Sequence, residues 1–110
     1  MRFERGDVVF GTDPFKTQSS GRPFLLISDA ETPFHGDQYL GMSLTTRTWH
    51  DETIPIRDAD WMRGSSPLPS SLVPWSVNTI FPDDIEYQQG TLDTDLVETA
   101  CEQLAAYVTE

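Results

Sequence analysis

A guanidinium set between a glycine and a proline is the first feature of this sequence that could do chemistry. In Gly21-Arg22-Pro23, the proline biases Arg22 toward an extended backbone and the glycine allows the preceding loop to turn sharply, so the charge starts from a restrained junction. Arg22 is then a planar, permanently charged fork that can bind two phosphate oxygens at once. The plain alternative is a surface arginine paired with one of the 18 Asp and Glu side chains. His35 and His50 are the conventional acid-base groups near neutral pH. Both sit in polar, turn-rich surroundings, Pro33-Phe34-His35-Gly36-Asp37 and Trp49-His50-Asp51, and are expected on exposed loops. One histidine beside two solvated acids in His50-Asp51-Glu52 is too sparse for a metal site, and neither a metal nor another cofactor is expected. Cys101 is the single cysteine, which excludes an intrachain disulfide and a cysteine-based zinc site. With no basic neighbour in sequence to lower its pKa, it reads as a small buried hydrophobe rather than a nucleophile.

The elements that must position these groups fall into two parts. Eight prolines and seven glycines break the first 90 residues into short pieces, whereas residues 91–110 contain neither. The first part reads as all-β, with strands expected at Asp7 to Gly11, Pro23 to Ser28, Gln38 to Thr46, Thr53 to Arg57 and Val73 to Phe81. Five short strands in so small a chain suggest a five-stranded barrel. Leu40, Met42 and Leu44 alternate with Tyr39, Gly41, Ser43 and Thr45, the period of a half-buried strand. If Leu44 points inward, Thr45 points out. The tail reads as a helix whose stripe of Leu96, Ala100, Leu104 and Val108, widened by Val97 and Cys101, packs on the barrel. Asp93 or Asp95 can cap its start, and Asp95 with Glu98 fits a capping box.

At 110 residues, the whole of 1–110 is expected to be a single domain. No apolar run approaches the ~18 residues needed to cross a bilayer, so the expectation is a soluble, cytoplasmic protein without a membrane. The formal net charge is −11, and Lys16 is the only lysine. Such acidity can simply keep a protein soluble by self-repulsion, but its spread along the whole chain favours a halophilic cytoplasm, where a Debye length of ~3 Å at molar salt makes such crowding tolerable. Acidity also counts against a binder that holds nucleic acid by phosphate charge alone. High salt suppresses that contribution in every protein, leaving stacking and shaped hydrogen bonds to supply the affinity.

A longer pattern surrounds Arg22. Arg5-Gly6-Asp7-Val8-Val9-Phe10, then Asp13-Pro14, a polar loop from Lys16 to Ser20 and Gly21-Arg22-Pro23-Phe24-Leu25-Leu26-Ile27-Ser28 come in order. Gly41-Met42-Ser43-Leu44-Thr45-Thr46, Leu68-Pro69 with Ser70 or Ser71, Thr79-Ile80 and Gly90-Thr91-Leu92 follow. This succession resembles the PemK/MazF family of toxins, in an acidic, haloarchaeal-type form, and it spans nearly the whole chain. One departure stands out. Where many members have a Val-Asp-Gln-like segment, this chain has Val73-Pro74-Trp75-Ser76-Val77.

The resemblance implies an SH3-like (PemK/MazF-type) barrel with a C-terminal helix, a homodimer with a shared groove, and a toxin-antitoxin partner. It implies a metal-independent endoribonuclease, an mRNA interferase, that cuts single-stranded RNA through its own 2'-hydroxyl. By position, Arg22 corresponds to the family's catalytic arginine and Thr45 to its strand-end Thr or Ser, with Thr46 adjacent. Arg22 would stabilise phosphorane charge and Thr45 would hydrogen-bond an oxygen; arginine as general base is awkward because its pKa exceeds about 12. RNA binding is expected from Thr46, Arg47, Arg57 and Arg63, the three arginines forming a positive rim. Trp49, Trp61 and Trp75 could stack bases, with packing expected for at least two of them. The competing readings are a non-catalytic SH3-like module binding a peptide or nucleic acid, and a structural partner whose groove holds an antitoxin-like helix.

Overall fold

A computed structural model of the chain describes residues 2–12, 21–47 and 51–109. Among these, seven strands form one antiparallel sheet: β1 (Asp7–Thr12), β2 (Gly21–Leu26), β3 (Tyr39–Thr45), β4 (Ile54–Pro55), β5 (Trp61–Gly64), β6 (Ser71–Ile80) and β7 (Ile85–Leu92). Their order across the sheet is β4-β6-β3-β2-β1-β7-β5. The helix α1 (Thr94–Val108) follows. The mainly-β fold with a C-terminal helix is as expected, and each of the five expected strands overlaps an observed one. The structure adds two strands: β5, only four residues long, and β7, whose Glu86, Tyr87 and Gln88 are all exposed.

A flat sheet of seven strands would hold its edges roughly 28 Å apart. Here Ile54 of β4 and Trp61 of β5, at opposite ends of the order, pack on one cluster formed by Val8, Leu25, Met42, Leu44, Leu72 and Leu92. The sheet must therefore curl around that cluster, giving the barrel. Val97 and Ala100 of α1 complete this core. Asp93 caps the helix, its carboxylate accepting from the Asp95 N–H at 3.1 Å. Val108 is 74 % exposed, so the expected stripe leaves the core in the last turn.

The sheet's other face carries a second core of Phe3, Val9, Phe24, Leu26, Tyr39 and Ile80. Its middle strands are consequently buried on both sides. Val8 and Val9 are fully buried back to back, as are Phe24, Leu25 and Leu26. The N-terminal segment covers part of this second face, with the Phe3 N–H donating to the Tyr39 hydroxyl at 3.2 Å.

That cover corrects the expectation for His35. Its side chain is only 2 % exposed, set edge-on to Tyr39 at 5.3 Å. Arg2 donates to the His35 carbonyl at 3.0 Å, and Glu4 brings a carboxylate oxygen within 3.5 Å of Nε2. The loop turns through Gly36, at φ +96°, and is held beneath the N-terminal segment instead of facing solvent. His50, Trp49, Asp13-Pro14 and the Lys16 to Ser20 loop lie outside the described residues.

Candidate active site

Arg22 enters the fold on the second residue of β2, opposite Gly11 of β1. Phe24 pairs with Ser43 of β3, and the same register carried two residues further sets Arg22 across from Thr45. Paired residues share a face, so Arg22, Ser43 and Thr45 project together on the side of the second core. The guanidinium is held at a defined height. Its Nη2 donates to the Leu44 carbonyl at 3.0 Å, and its Cζ lies 5.9 Å from the centroid of the Phe24 ring. Those contacts restrain a long side chain before any substrate arrives, which is the condition for preorganised charge stabilisation.

Leu44 is buried and Thr45 half-buried, but the expected alternation of a half-buried strand is not kept along β3, where Tyr39, Gly41 and Ser43 are buried as well because the sheet is covered on both faces. The Arg47 N–H donates to Thr45 Oγ1 at 3.1 Å. That bond uses a lone pair and leaves the hydroxyl proton for an acceptor. A cleft of about 210 Å3 opens between these groups, with Arg22, Ser43 and Thr45 on one side and Val73, Trp75 and Ser76 of β6 on the other. At its floor the Ser43 and Ser76 hydroxyls are 3.0 Å apart. Arg22 and Thr45 thus converge on one concave site.

The other expected RNA contacts divide. Thr46 and Arg47 are exposed immediately beyond Thr45, beside the cleft. Arg57 and Arg63 do not line it. Arg57 stands between two separate clefts and faces Asp60, whose Oδ2 is 3.8 Å from its Nε. Arg63 lies on edge strand β5, opposite Thr91. Charge on a strand edge protects that edge as readily as it binds phosphate. Trp61 packs half-buried on the first core, whereas Trp75 is at the cleft.

Ser43 and Ser76 are functional candidates that sequence reasoning passed over. Ser43 was discoverable, two residues before Thr45 on the same strand face; Ser76 was not, because its place depends on an irregular pairing of β6. Among the described residues, no cluster of three or more His, Cys, Asp and Glu stands close enough to hold a metal ion. Cys101 is half-buried against the first core. Burial pushes its thiol pKa up, and Arg5, a basic neighbour invisible in the local sequence, only partly opposes this.

A single antiparallel sheet curled around a core and closed by a C-terminal helix is the MazF-type barrel fold. Solved structures of that fold match along nearly the whole chain. MazF from Deinococcus radiodurans superposes with a TM-score of 0.76 at 12 % identity, covering 98 % of this chain and 97 % of that one. An endoribonuclease in complex with its cognate antitoxin from a mycobacterial species gives 0.67 at 18 % identity, with coverages of 96 % and 91 %. The Mycobacterium tuberculosis toxin MazF-mt6 gives 0.66 at 20 % identity, covering 92 % and 93 %. No family model matches the chain, and no curated protein matches it in sequence.

Proposed function

We propose that this protein is a toxin-like endoribonuclease of the cytoplasm that cleaves single-stranded RNA without a metal and is normally neutralised by an antitoxin protein. The observation that carries this is the Arg22 guanidinium, fixed on the Leu44 carbonyl in the same cleft as the Thr45 hydroxyl. The structural likeness to endoribonuclease toxins, one of them solved with its antitoxin, supports the same reading. In the proposed reaction the ribose 2'-oxygen attacks the adjacent phosphorus and the bond from phosphorus to the 5'-oxygen breaks. The 2'-proton leaves to water, and the departing oxygen is protonated from water. Products carry a 2',3'-cyclic phosphate and a free 5'-hydroxyl. Arg22 binds the non-bridging oxygens as their charge grows, and Thr45 donates to one of them. The barrel is small beside an extended RNA strand, so a homodimer with a groove shared by two copies is part of the proposal.

The test uses purified protein and a mixed-sequence RNA in molar potassium chloride with chelator present. Cleavage is expected to persist with chelator and to stop when the ribose 5' to the cut is replaced by deoxyribose. Arg22→Ala is expected to lower the rate about a hundredfold or more, with a smaller loss for Thr45→Ala, both variants remaining folded. Light scattering on the active sample should give the mass of two chains. Cutting of deoxyribose at that position, or loss of activity with chelator, would overturn the mechanism. A folded protein that binds a partner in this cleft but cuts no RNA would establish the binding-module alternative instead.

A further inference from the structure

Strand β6 does not run evenly beside β3. Met42 pairs with Val77 and Leu44 with Leu72, so the four residues from Val73 to Ser76 stand against Ser43 alone. Such a bulge interrupts the ladder and re-aims side chains. Pro74 is buried within it and has no N–H to lose from the ladder. On a regular strand the neighbours Trp75 and Ser76 would face opposite sides of the sheet. Here both line the cleft that contains Arg22.

We infer that Trp75 is the stacking surface for an unpaired nucleobase flanking the phosphate bound by Arg22, which makes it a specificity-determining residue for single-stranded RNA. This rests on the ribonuclease reading. Trp75 is 41 % exposed, lines the cleft, and meets Tyr107 of α1 edge-on with ring centroids 6.2 Å apart. A guanidinium, hydroxyls and an indole lining one cleft match the two halves of a nucleotide, its phosphate and its base. The molecule's net charge of −11 leaves little general attraction for a polyanion, so stacking has to supply a large part of the affinity. A base held in a duplex cannot reach such a surface; one in a loop or single strand can. The Ser43 and Ser76 hydroxyls at the floor lie where a base or ribose edge could exchange hydrogen bonds.

The experiment measures affinity, by fluorescence anisotropy in molar potassium chloride, for an oligoribonucleotide made uncleavable by one deoxyribose at the mapped cut. A second oligomer lacks the base beside that phosphate. Trp75→Ala should weaken binding of the intact oligomer roughly tenfold or more, while Trp75→Phe keeps most of it. Removing the base should cost the wild type a similar factor and Trp75→Ala almost nothing further, the mark of two groups acting through one contact. If Trp75→Ala fails to fold, Trp75→Leu, which keeps bulk without an aromatic face, is compared with Trp75→Phe in the same way. An equal penalty for the missing base in wild type and variant overturns the proposal. So does a Trp75→Ala protein that has become monomeric with its base preference unchanged, which would make the indole a contact between copies of the chain. Wild-type protein that neither binds nor cuts RNA removes the ribonuclease reading together with this one, whereas cleavage without coupling removes the stacking surface alone.

Discussion

Phe10 lies across Gly21 so closely that a Cβ there would collide with the edge of its ring, and the same ring stacks on Tyr87 at 5.2 Å. The backbone at Gly21 itself is not in the left-handed region, so glycine is needed there for space, while the loop expected to turn before Arg22 lies outside the described residues. Gly21 pairs with Thr12 and Arg22 with Gly11, one residue along, which couples the Phe10 ring to the entry of the guanidinium. Gly21→Ala should push the ring off Tyr87 and lower stability by about 1 kcal/mol, the size of one aromatic pair. Urea denaturation reads that loss, and RNA cleavage should fall by more than the lost stability explains because Arg22 is displaced with its neighbour. An unchanged urea midpoint together with unchanged cleavage would mean that Phe10 swings aside freely and plays no part in holding the site.

The helix depends on its start. Asp93 satisfies the Asp95 N–H, and no basic residue stands in the last turn to oppose the helix dipole at the other end. Asp93→Ala should therefore cost about 1 kcal/mol, visible as a lower melting temperature at fixed salt, and an unchanged melting temperature would mean that packing of Val97 and Ala100 alone holds the element. This helix was legible because a four-residue apolar repeat survives in an acidic chain; Val108 misled because periodicity does not say where the partner surface ends. Strands β1 to β3 were legible from apolar runs bounded by Gly, Pro and Asp. Strand β7 was hidden because its first half is exposed and polar, paired through backbone on both sides by β1 and β5. Of the site, the residue types at Arg22 and Thr45 pointed to phosphate chemistry only within a longer pattern. Trp75 was named as a stacking candidate and Pro74 is a local sign of irregularity, but that Trp75 and Ser76 share one cleft follows from a bulge whose place depends on the partner strand. His35 was misjudged because burial by Arg2 to Glu4 is a contact across more than thirty positions of sequence.

At the scale of the whole molecule, charge outweighs any single pair. Eighteen acids oppose seven bases, and no lysine or arginine follows Arg63. Carboxylate repulsion is screened over ~3 Å in molar salt and over ~30 Å at 0.01 M, so the folded state should weaken as salt is withdrawn. The expected result is a lower melting temperature in millimolar than in molar potassium chloride. An unchanged value would remove the proposed halophilic adaptation and leave the ribonuclease proposal intact. Burial of the central strands on both faces has a different kind of consequence. In an ordinary half-buried strand, a one-residue slip throws apolar side chains into water and is rejected on polarity. Where Val8 backs onto Val9 and Phe24 onto Leu25, the slipped arrangement is still greasy on both sides, and polarity is almost silent. Volume decides instead. Gly41 fits beneath Ile80 and Phe24 where even a methyl group is crowded, and a slipped β3 would force Leu40 or Met42 into that space. The alignment of this sheet is thus proofread by glycine-sized sockets, as a key is checked by its notches.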